Sequence, residues 1–172
     1  MKRVFGVDQK PAFVFIFVTM IKLNVTDETS RLRAVILGTA LSNGGVPKLE
    51  DAYDPKSLLH IQENTYPKEE DMVAEMNAVE EVFNKYGVQV FRPKLIADYN
   101  QIFARDIGFV IEDTFIKANI LPDREQEIEA IEHVLTQIDP EKIVRFPEEA
   151  HIEGGDVMPY KDYILVGVYR GP

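Results

Sequence analysis

Residues 100–120 read NQIFARDIGFVIEDTFIKANI, a polar stretch followed by two apolar segments. The apolar segments, residues 107–111 and 114–120, flank Glu112-Asp113, which favours a tight hairpin between two strands. The polar stretch, residues 100–106, ends where the first strand begins. Its charged side chains are therefore expected at the mouth of a sheet rather than in the middle of one.

Regular hydrophobic patterns extend from this hairpin in both directions. Alternation predicts strands, and apolar steps of three and four residues predict helices. The order strand, helix, strand, strand, helix, strand, strand indicates a mixed α/β fold, with no glycine-rich phosphate loop after the first strand. The predicted strands cover residues 21–25, 32–37, 88–91, 107–111, 114–120, 143–146 and 163–168, and the predicted helices cover residues 55–64, 67–86 and 122–138.

A second polar stretch, residues 151–157 (HIEGGDV), precedes the last predicted strand. Its two glycines allow the backbone to approach a ligand or a neighbouring strand closely. Taken separately, each polar stretch has a simpler explanation. Arg105-Asp106 could be a surface salt bridge or a strand cap, and residues 153–156 could be an acidic turn.

Paired carboxylates at strand starts also suit one particular ligand, the guanidinium group. A guanidinium is planar, cationic at neutral pH, and presents its N–H donors as a fork that a carboxylate can accept bidentately. Two carboxylates from different strands can hold it from two sides and leave its central carbon open. In the absence of a cation, two neighbouring carboxylates raise the pKa of at least one of them.

The composition excludes several classes of function. Hydrophobic residues make up 45% and charged residues 28%, as in an ordinary soluble globular protein. A net charge of −10 repels phosphate backbones, which argues against nucleic acid as a partner and favours small cations. The oligomeric state is open, and a homo-oligomer is compatible with the sequence.

Cysteine is absent, so neither a disulfide nor a cysteine-based zinc site can form. The three histidines, His60, His133 and His151, have no metal-binding spacing, and no metal or other cofactor is predicted. His60 and His133 fall on predicted helices, where surface or packing roles are expected. His151 is expected to be a polar loop residue.

Residues 1–19 differ from the rest of the chain. Met1-Lys2-Arg3 is basic, and residues 12–18 (AFVFIFV) form an apolar run that is too short to span a bilayer. A signal peptide is one interpretation, but no small-residue cleavage site follows. The interpretation we favour is an irregular lead from a start codon assigned too early, with Met20 opening the domain.

Residues 100–106 with their following strand, together with Glu153-Gly-Gly-Asp-Val157, resemble the guanidino-group-modifying superfamily. That group includes arginine deiminases, dimethylarginine hydrolases and glycine amidinotransferases, and the amidinotransferase branch is the most similar. The resemblance extends from about Met20 to the end of the chain. It implies a five-bladed α/β propeller with helices outside, a small arginine-like substrate, no cofactor and a cytoplasmic location.

The resemblance also implies roles for individual residues. Asp106 matches the carboxylate that binds the substrate guanidinium. Glu153 matches the second carboxylate, which lies beside the catalytic histidine and has both a catalytic and a substrate-binding role. The residues expected to support and shape the two loops are Asn100, Arg105, Gly154, Gly155 and Asp156.

Enzymes of this superfamily form a covalent intermediate between a cysteine thiolate and the guanidinium carbon. This sequence has no cysteine, and no histidine follows Asp156. We therefore expect residues 20–172 to be the N-terminal part of a longer catalytic domain, inactive by itself. The alternatives are a module that holds guanidino compounds without turnover and an α/β domain whose acidic turns are purely structural.

Overall fold

The computed structural model describes residues 20–50, 52 and 55–168, and within them the chain forms three small sheets with helices packed beside them. The predicted lead, residues 1–19, lies outside the described residues. No helix in the described part of the chain is long and apolar enough to cross a membrane.

The first sheet pairs two parallel strands joined by helices. Val35 in the first strand lies opposite Val90 in the second. The second helix ends at Lys85, and Gly87 adopts a φ of 69°, the left-handed conformation predicted for a glycine cap. The elements are β1 (Ala34–Ile36), α1 (Pro55–Gln62), α2 (Glu69–Lys85) and β2 (Gln89–Phe91), and the predictions for this region are confirmed apart from their end residues.

The second sheet contains the predicted hairpin, which is confirmed. Its antiparallel strands meet at a turn in which Glu112 has a φ of 52°, and a third strand pairs in parallel with the second. The elements are β3 (Gly108–Ile111), β4 (Thr114–Lys117), α3 (Glu125–Ala130), α4 (Glu132–Leu135) and β5 (Ile143–Arg145).

The single helix predicted over residues 122–138 is wrong in its continuity. Residues 122–124 form a 3-10 turn, and α3 and α4 are separated at Ile131, whose φ and ψ are −102° and 1°. The Ile131 side chain is 0% exposed. Its burial outweighs the weak preference of the backbone to continue as one helix.

The third sheet is the hairpin of β6 (Val157–Tyr160) and β7 (Tyr163–Val166). The prediction of β7 is confirmed in its first four residues, whereas β6, which contains Pro159, was not predicted. The strand predicted over residues 21–25 is also wrong. This segment forms an isolated bridge from Val25 to Glu112 and one bond from Ile21 N to Gln137 O, because its two ends meet different neighbours.

The main core lies between the second sheet and α3 and α4. It begins at Ile107, the residue after Asp106, so the first polar loop leads directly into the larger of the two clusters of buried residues. The buried members of this core are Ile107, Phe115, Ala118, Ile120, Ile128, Ile131, Leu135 and Ile138. By contrast, none of the residues of α2 is buried, and Val79 and Val82 of this helix are exposed.

Candidate functional site

The two polar loops identified in the sequence touch each other through their backbones. The first loop ends in a turn closed by a bond from Asp106 N to Phe103 O, 3.0 Å, directly before β3. The second loop contains Glu153 and a 3-10 turn over Gly154–Asp156 that leads into β6. Gly154 N donates to Asp106 O at 3.2 Å. This bond joins the starts of strands that belong to different sheets.

The loops approach closely where Gly154 and Gly155 have no side chain. A Cβ on Gly154 would lie 2.1 Å from the backbone oxygen of Arg105, far inside van der Waals contact. A Cβ on Gly155 would lie 2.9 Å from Oδ1 of Asp106. The second loop therefore passes over the first where a side chain would occupy the space, as the sequence predicted for this glycine pair.

Arg105 joins the same two loops from another direction. Its Nε donates to Gly154 O at 2.9 Å, and its Nη2 donates to Val157 O at 2.8 Å. Nη2 also forms an ion pair with Oε1 of Glu28 at 2.9 Å. Arg105 thus donates to backbone oxygens at both ends of the 3-10 turn.

The structure brings Asp106 and Glu153 together around the guanidinium of Arg124. Nη1 of Arg124 lies 3.2 Å from Oδ2 of Asp106 and 3.5 Å from Oε1 of Glu153. The other side of the guanidinium faces Glu127, with Nε to Oε1 at 2.7 Å and Nη2 to Oε2 at 3.2 Å. One planar cation is therefore surrounded by three carboxylates.

Sequence reasoning did not identify Arg124 or Glu127 as site residues. The available signal was an arginine and a glutamate three positions apart at the start of a helix, a spacing at which side chains meet. Glu127 is only 2% exposed, which is rare for a glutamate without a partner. Its burial is balanced by the bidentate contact with Arg124.

The electrostatics of the cluster are dominated by burial and by mutual repulsion of the carboxylates. Burial raises the pKa of Glu153 above its ordinary value, and the charges of Asp106 and Asp156 raise it further. Burial likewise raises the pKa of Glu127, against the effect of Arg124. Burial by itself would lower the pKa of Arg124, but hydrogen bonds and charges from Glu127 and Asp106 raise it overall. The guanidinium stays charged, and the pKa values of both Glu127 and Glu153 lie above the ordinary value of a glutamate.

The other residues singled out in the sequence make contacts of their own. Oδ1 of Asn100 accepts from Ile102 N at 3.1 Å, which shapes the first loop locally. The backbone of Asp156 receives a bond from Gly167 N at 2.8 Å, which ties the second loop to the end of β7. His151 Nδ1 lies 3.3 Å from Asn119 O on an exposed loop. His60 lies on α1 and His133 on α4.

Asn119 is a further supporting residue that the sequence did not reveal. Its Nδ2 donates to three backbone oxygens, those of Phe146, Pro147 and Ala150, at 3.1, 2.7 and 3.1 Å. These bonds fix the segment that leads into the second loop. Within the described residues, no group of three or more His, Asp or Glu side chains is arranged to hold a metal ion.

Comparisons with known proteins place the fold. No protein-family model matches the chain, and no curated protein matches it in sequence. An amidinotransferase of the saxitoxin biosynthetic pathway from Microseira wollei aligns with a TM-score of 0.56 and 18% identity, over 80% of this chain and 52% of that one. An inosamine-phosphate amidinotransferase from Streptomyces griseus aligns with a TM-score of 0.55 and 16% identity, over 83% and 53% of the two chains.

A dimethylarginine dimethylaminohydrolase also aligns, with a TM-score of 0.47 and 16% identity, over 80% of this chain and 50% of that chain. The present chain spans about half the length of each of these structures. Over that half, the chain has the fold of the amidinotransferases.

Proposed function

We propose that this chain supplies the guanidinium-binding carboxylates of an enzyme that acts on guanidino compounds such as arginine. The observation that carries the proposal is the position of the Arg124 guanidinium, which lies within ion-pair distance of both Asp106 and Glu153. A guanidinium group of the protein itself thus sits between the two carboxylates expected to bind one. The fold shared with two amidinotransferases supports the same assignment.

The reaction class we propose is amidino transfer or deimination through a covalent intermediate. A cysteine thiolate attacks the central carbon of the substrate guanidinium, a histidine gives a proton to the departing amine or ammonia, and water or an acceptor amine then releases the amidino carbon from sulfur. Asp106 and Glu153 hold the cation and stabilise its charge while that carbon becomes tetrahedral. The substrate brings its own positive charge, and no metal ion is required.

The cysteine of this mechanism does not come from these 172 residues, because the sequence contains none. We therefore propose that residues 20–172 form the N-terminal part of the catalytic domain and contribute to a five-bladed α/β propeller. The lack of cysteine also supports a second candidate function, a module that binds guanidino compounds without turnover. Under both candidate functions the chain binds a guanidinium group, and under neither does the chain alone catalyse a reaction of the bound compound.

The test is a calorimetric titration of the chain with arginine, alongside Asp106→Asn and Glu153→Gln. The Asp106 side chain is 20% exposed, so loss of its charge should cost about 2 kcal/mol, and Asp106→Asn should bind about 30-fold more weakly. The Glu153 side chain is 39% exposed, so Glu153→Gln should weaken binding by a smaller factor. Asp71→Asn is the matched control, since it removes one exposed carboxylate at the start of α2 and should leave the affinity unchanged. Equal loss in all three variants would show that only net charge matters, and the proposal would fail.

An activity assay distinguishes the two candidate functions from a third case, in which the chain is an active enzyme by itself. The chain alone should form no citrulline and no ornithine from arginine above the rate in buffer, because loss of a covalent nucleophile costs many orders of magnitude. Formation of either product by the purified chain would contradict a mechanism that needs a cysteine from elsewhere. Arginine binding without turnover is the expected result.

A further inference from the structure

The contacts of the Arg124 guanidinium differ on its two sides. Toward Glu127, two nitrogens form a fork of 2.7 and 3.2 Å. Toward the other carboxylates, the single atom Nη1 reaches Asp106 at 3.2 Å and Glu153 at 3.5 Å. Bidentate contacts between guanidinium and carboxylate are the stronger and more directional kind. Arg124 is therefore anchored on Glu127 and more loosely held at the candidate site.

We propose that Arg124 is a resident occupant of the guanidinium site, anchored by Glu127, and that a guanidino ligand binds by displacing Nη1 from Asp106 and Glu153. The inference rests on the proposed function and adds a competitor that lowers affinity for every guanidino compound. It also makes Glu127 the residue that determines how far Arg124 can withdraw.

Burial explains why the anchor holds while the other contacts exchange. The Glu127 side chain is 3% exposed, whereas those of Asp106 and Glu153 are 20% and 39% exposed. Losing its cation would leave Glu127 charged and buried without a partner, which is strongly unfavourable. Asp106 and Glu153 can exchange one N–H donor for another at the surface with little loss. A ligand therefore competes for the two outer carboxylates and leaves the inner pair intact.

The charges in the cluster favour admission of a second cation. The charges of Asp106 and Glu153 act on Glu127, and the charges of Asp106 and Asp156 act on Glu153. Among the described contacts, Arg124 is the guanidinium that pairs with Asp106, Glu127 and Glu153. Arg124 is already committed to Glu127, so the outer carboxylates remain undercompensated. A ligand with several N–H donors can form hydrogen bonds to both Asp106 and Glu153, whereas Arg124 contacts them only through Nη1, at 3.2 and 3.5 Å.

A positioning role for Arg124 predicts the opposite result. If Nη1 were needed to hold Asp106 and Glu153 at the correct separation, its removal would weaken the binding of guanidino ligands. If Nη1 is a competitor, its removal strengthens binding. The sign of the change in affinity therefore distinguishes the two roles.

The decisive variant is the double substitution Arg124→Gln with Glu127→Gln, which removes the competitor without leaving Glu127 charged and unpaired. The matched control is Arg92→Gln with Glu80→Gln, since Arg92, the residue after β2, forms another partly buried ion pair with Glu80 of α2. The probe is methylguanidinium, which carries no carboxylate of its own. Titrations at constant ionic strength, with methylammonium as the reference cation, measure the guanidinium-specific affinity.

The double variant should bind methylguanidinium about tenfold more tightly than the wild type, the scale of one charge-assisted hydrogen bond. Adding Asp106→Asn should abolish the gain, and the control pair should bind like the wild type. An unchanged or weaker affinity in the double variant, with binding still dependent on Asp106, would overturn the inference and leave the proposed function standing. No preference for methylguanidinium over methylammonium in any variant would overturn both.

Arg124→Lys tests the same inference if the double variant does not fold. Lysine keeps a positive charge for Glu127, but its single ammonium group cannot reach three carboxylates as a fork does. A gain in methylguanidinium affinity in this variant supports the inference, and the absence of a gain refutes it. Thermal melts of each variant without ligand confirm that the compared proteins are folded.

Discussion

Replacement of Gly154 by alanine should damage the contact between the two loops more than any other single methyl addition in this region. The added Cβ would lie 2.1 Å from the backbone oxygen of Arg105, 3.1 Å from Cδ1 of Phe109 and 3.2 Å from the backbone oxygen of Gly108. Ordinary contact begins at 3.4 Å, so the backbone of one loop must shift by more than an ångström. Gly154 has no positive φ, so the effect comes from space rather than from strain.

The expected loss of stability follows from these contacts. Overpacking costs up to about 3 kcal/mol when rigid atoms must move. Loss of the bond from Gly154 N to Asp106 O adds about 1 kcal/mol. For a domain of this size, the sum corresponds to a fall in Tm of about 8–16 °C. Differential scanning calorimetry of the wild type and the variant measures the change directly.

Gly155→Ala is the matched comparison. Its Cβ would meet only Oδ1 of Asp106, at 2.9 Å, and that carboxylate can rotate away. The Tm should stay within about 3 °C of the wild type, while affinity for arginine falls because Asp106 has moved. A Gly154→Ala protein that melts within about 2 °C of the wild type would show that the loops do not approach as described.

Three further predictions concern the surroundings of the site. Arg105→Met should lower the free energy of unfolding by about 2 kcal/mol in urea titrations, because the backbone oxygens of Gly154 and Val157 lose their donor. An unchanged urea midpoint of unfolding would contradict a supporting role for Arg105. Arginine affinity should fall as the pH is lowered toward 4.5, the ordinary pKa of a glutamate, because the pKa of Glu153 is raised above that value and protonation removes its charge. Glu153→Gln should make the affinity depend less on pH, and a wild type whose affinity does not change with pH would contradict the binding role of Glu153. All four residues of β7 are exposed and apolar, so the 172-residue chain should bind a hydrophobic dye and self-associate at micromolar concentration. Leu165→Lys should reduce both effects, and a chain that binds no dye and is monomeric in light scattering would contradict this prediction.

Hydrophobic spacing was informative where burial is periodic. The hairpin of β3 and β4 follows from two apolar segments around a turn. Apolar residues at steps of three and four predicted a helix over residues 122–138, and those apolar residues are buried: Ile128, Ile131, Val134, Leu135 and Ile138. The break of that helix at Ile131 has no local signal, because it arises from packing against the second sheet. The short strand β6 was missed because its sequence, Val-Met-Pro-Tyr, contains a proline and lacks the alternation of apolar and polar residues that indicates a strand.

Part of the candidate site could be foreseen and part could not. The two polar loops were recognisable because charged residues and paired glycines stand next to apolar strands. Arg124 and Glu127 were not, because an arginine and a glutamate at this spacing on a helix are usually a solvated surface pair. Their importance comes from the fold, which brings the start of α3 beside the starts of β3 and β6.

The bond from Gly154 N to Asp106 O places the geometry of the two carboxylates under the control of the main chain. The spacing between the loops is set by the amide of Gly154, the carbonyl of Asp106 and the absence of a side chain at Gly154. These features do not depend on the identity of most surrounding residues. Surface and packing side chains can therefore change extensively while the acidic pair keeps its separation.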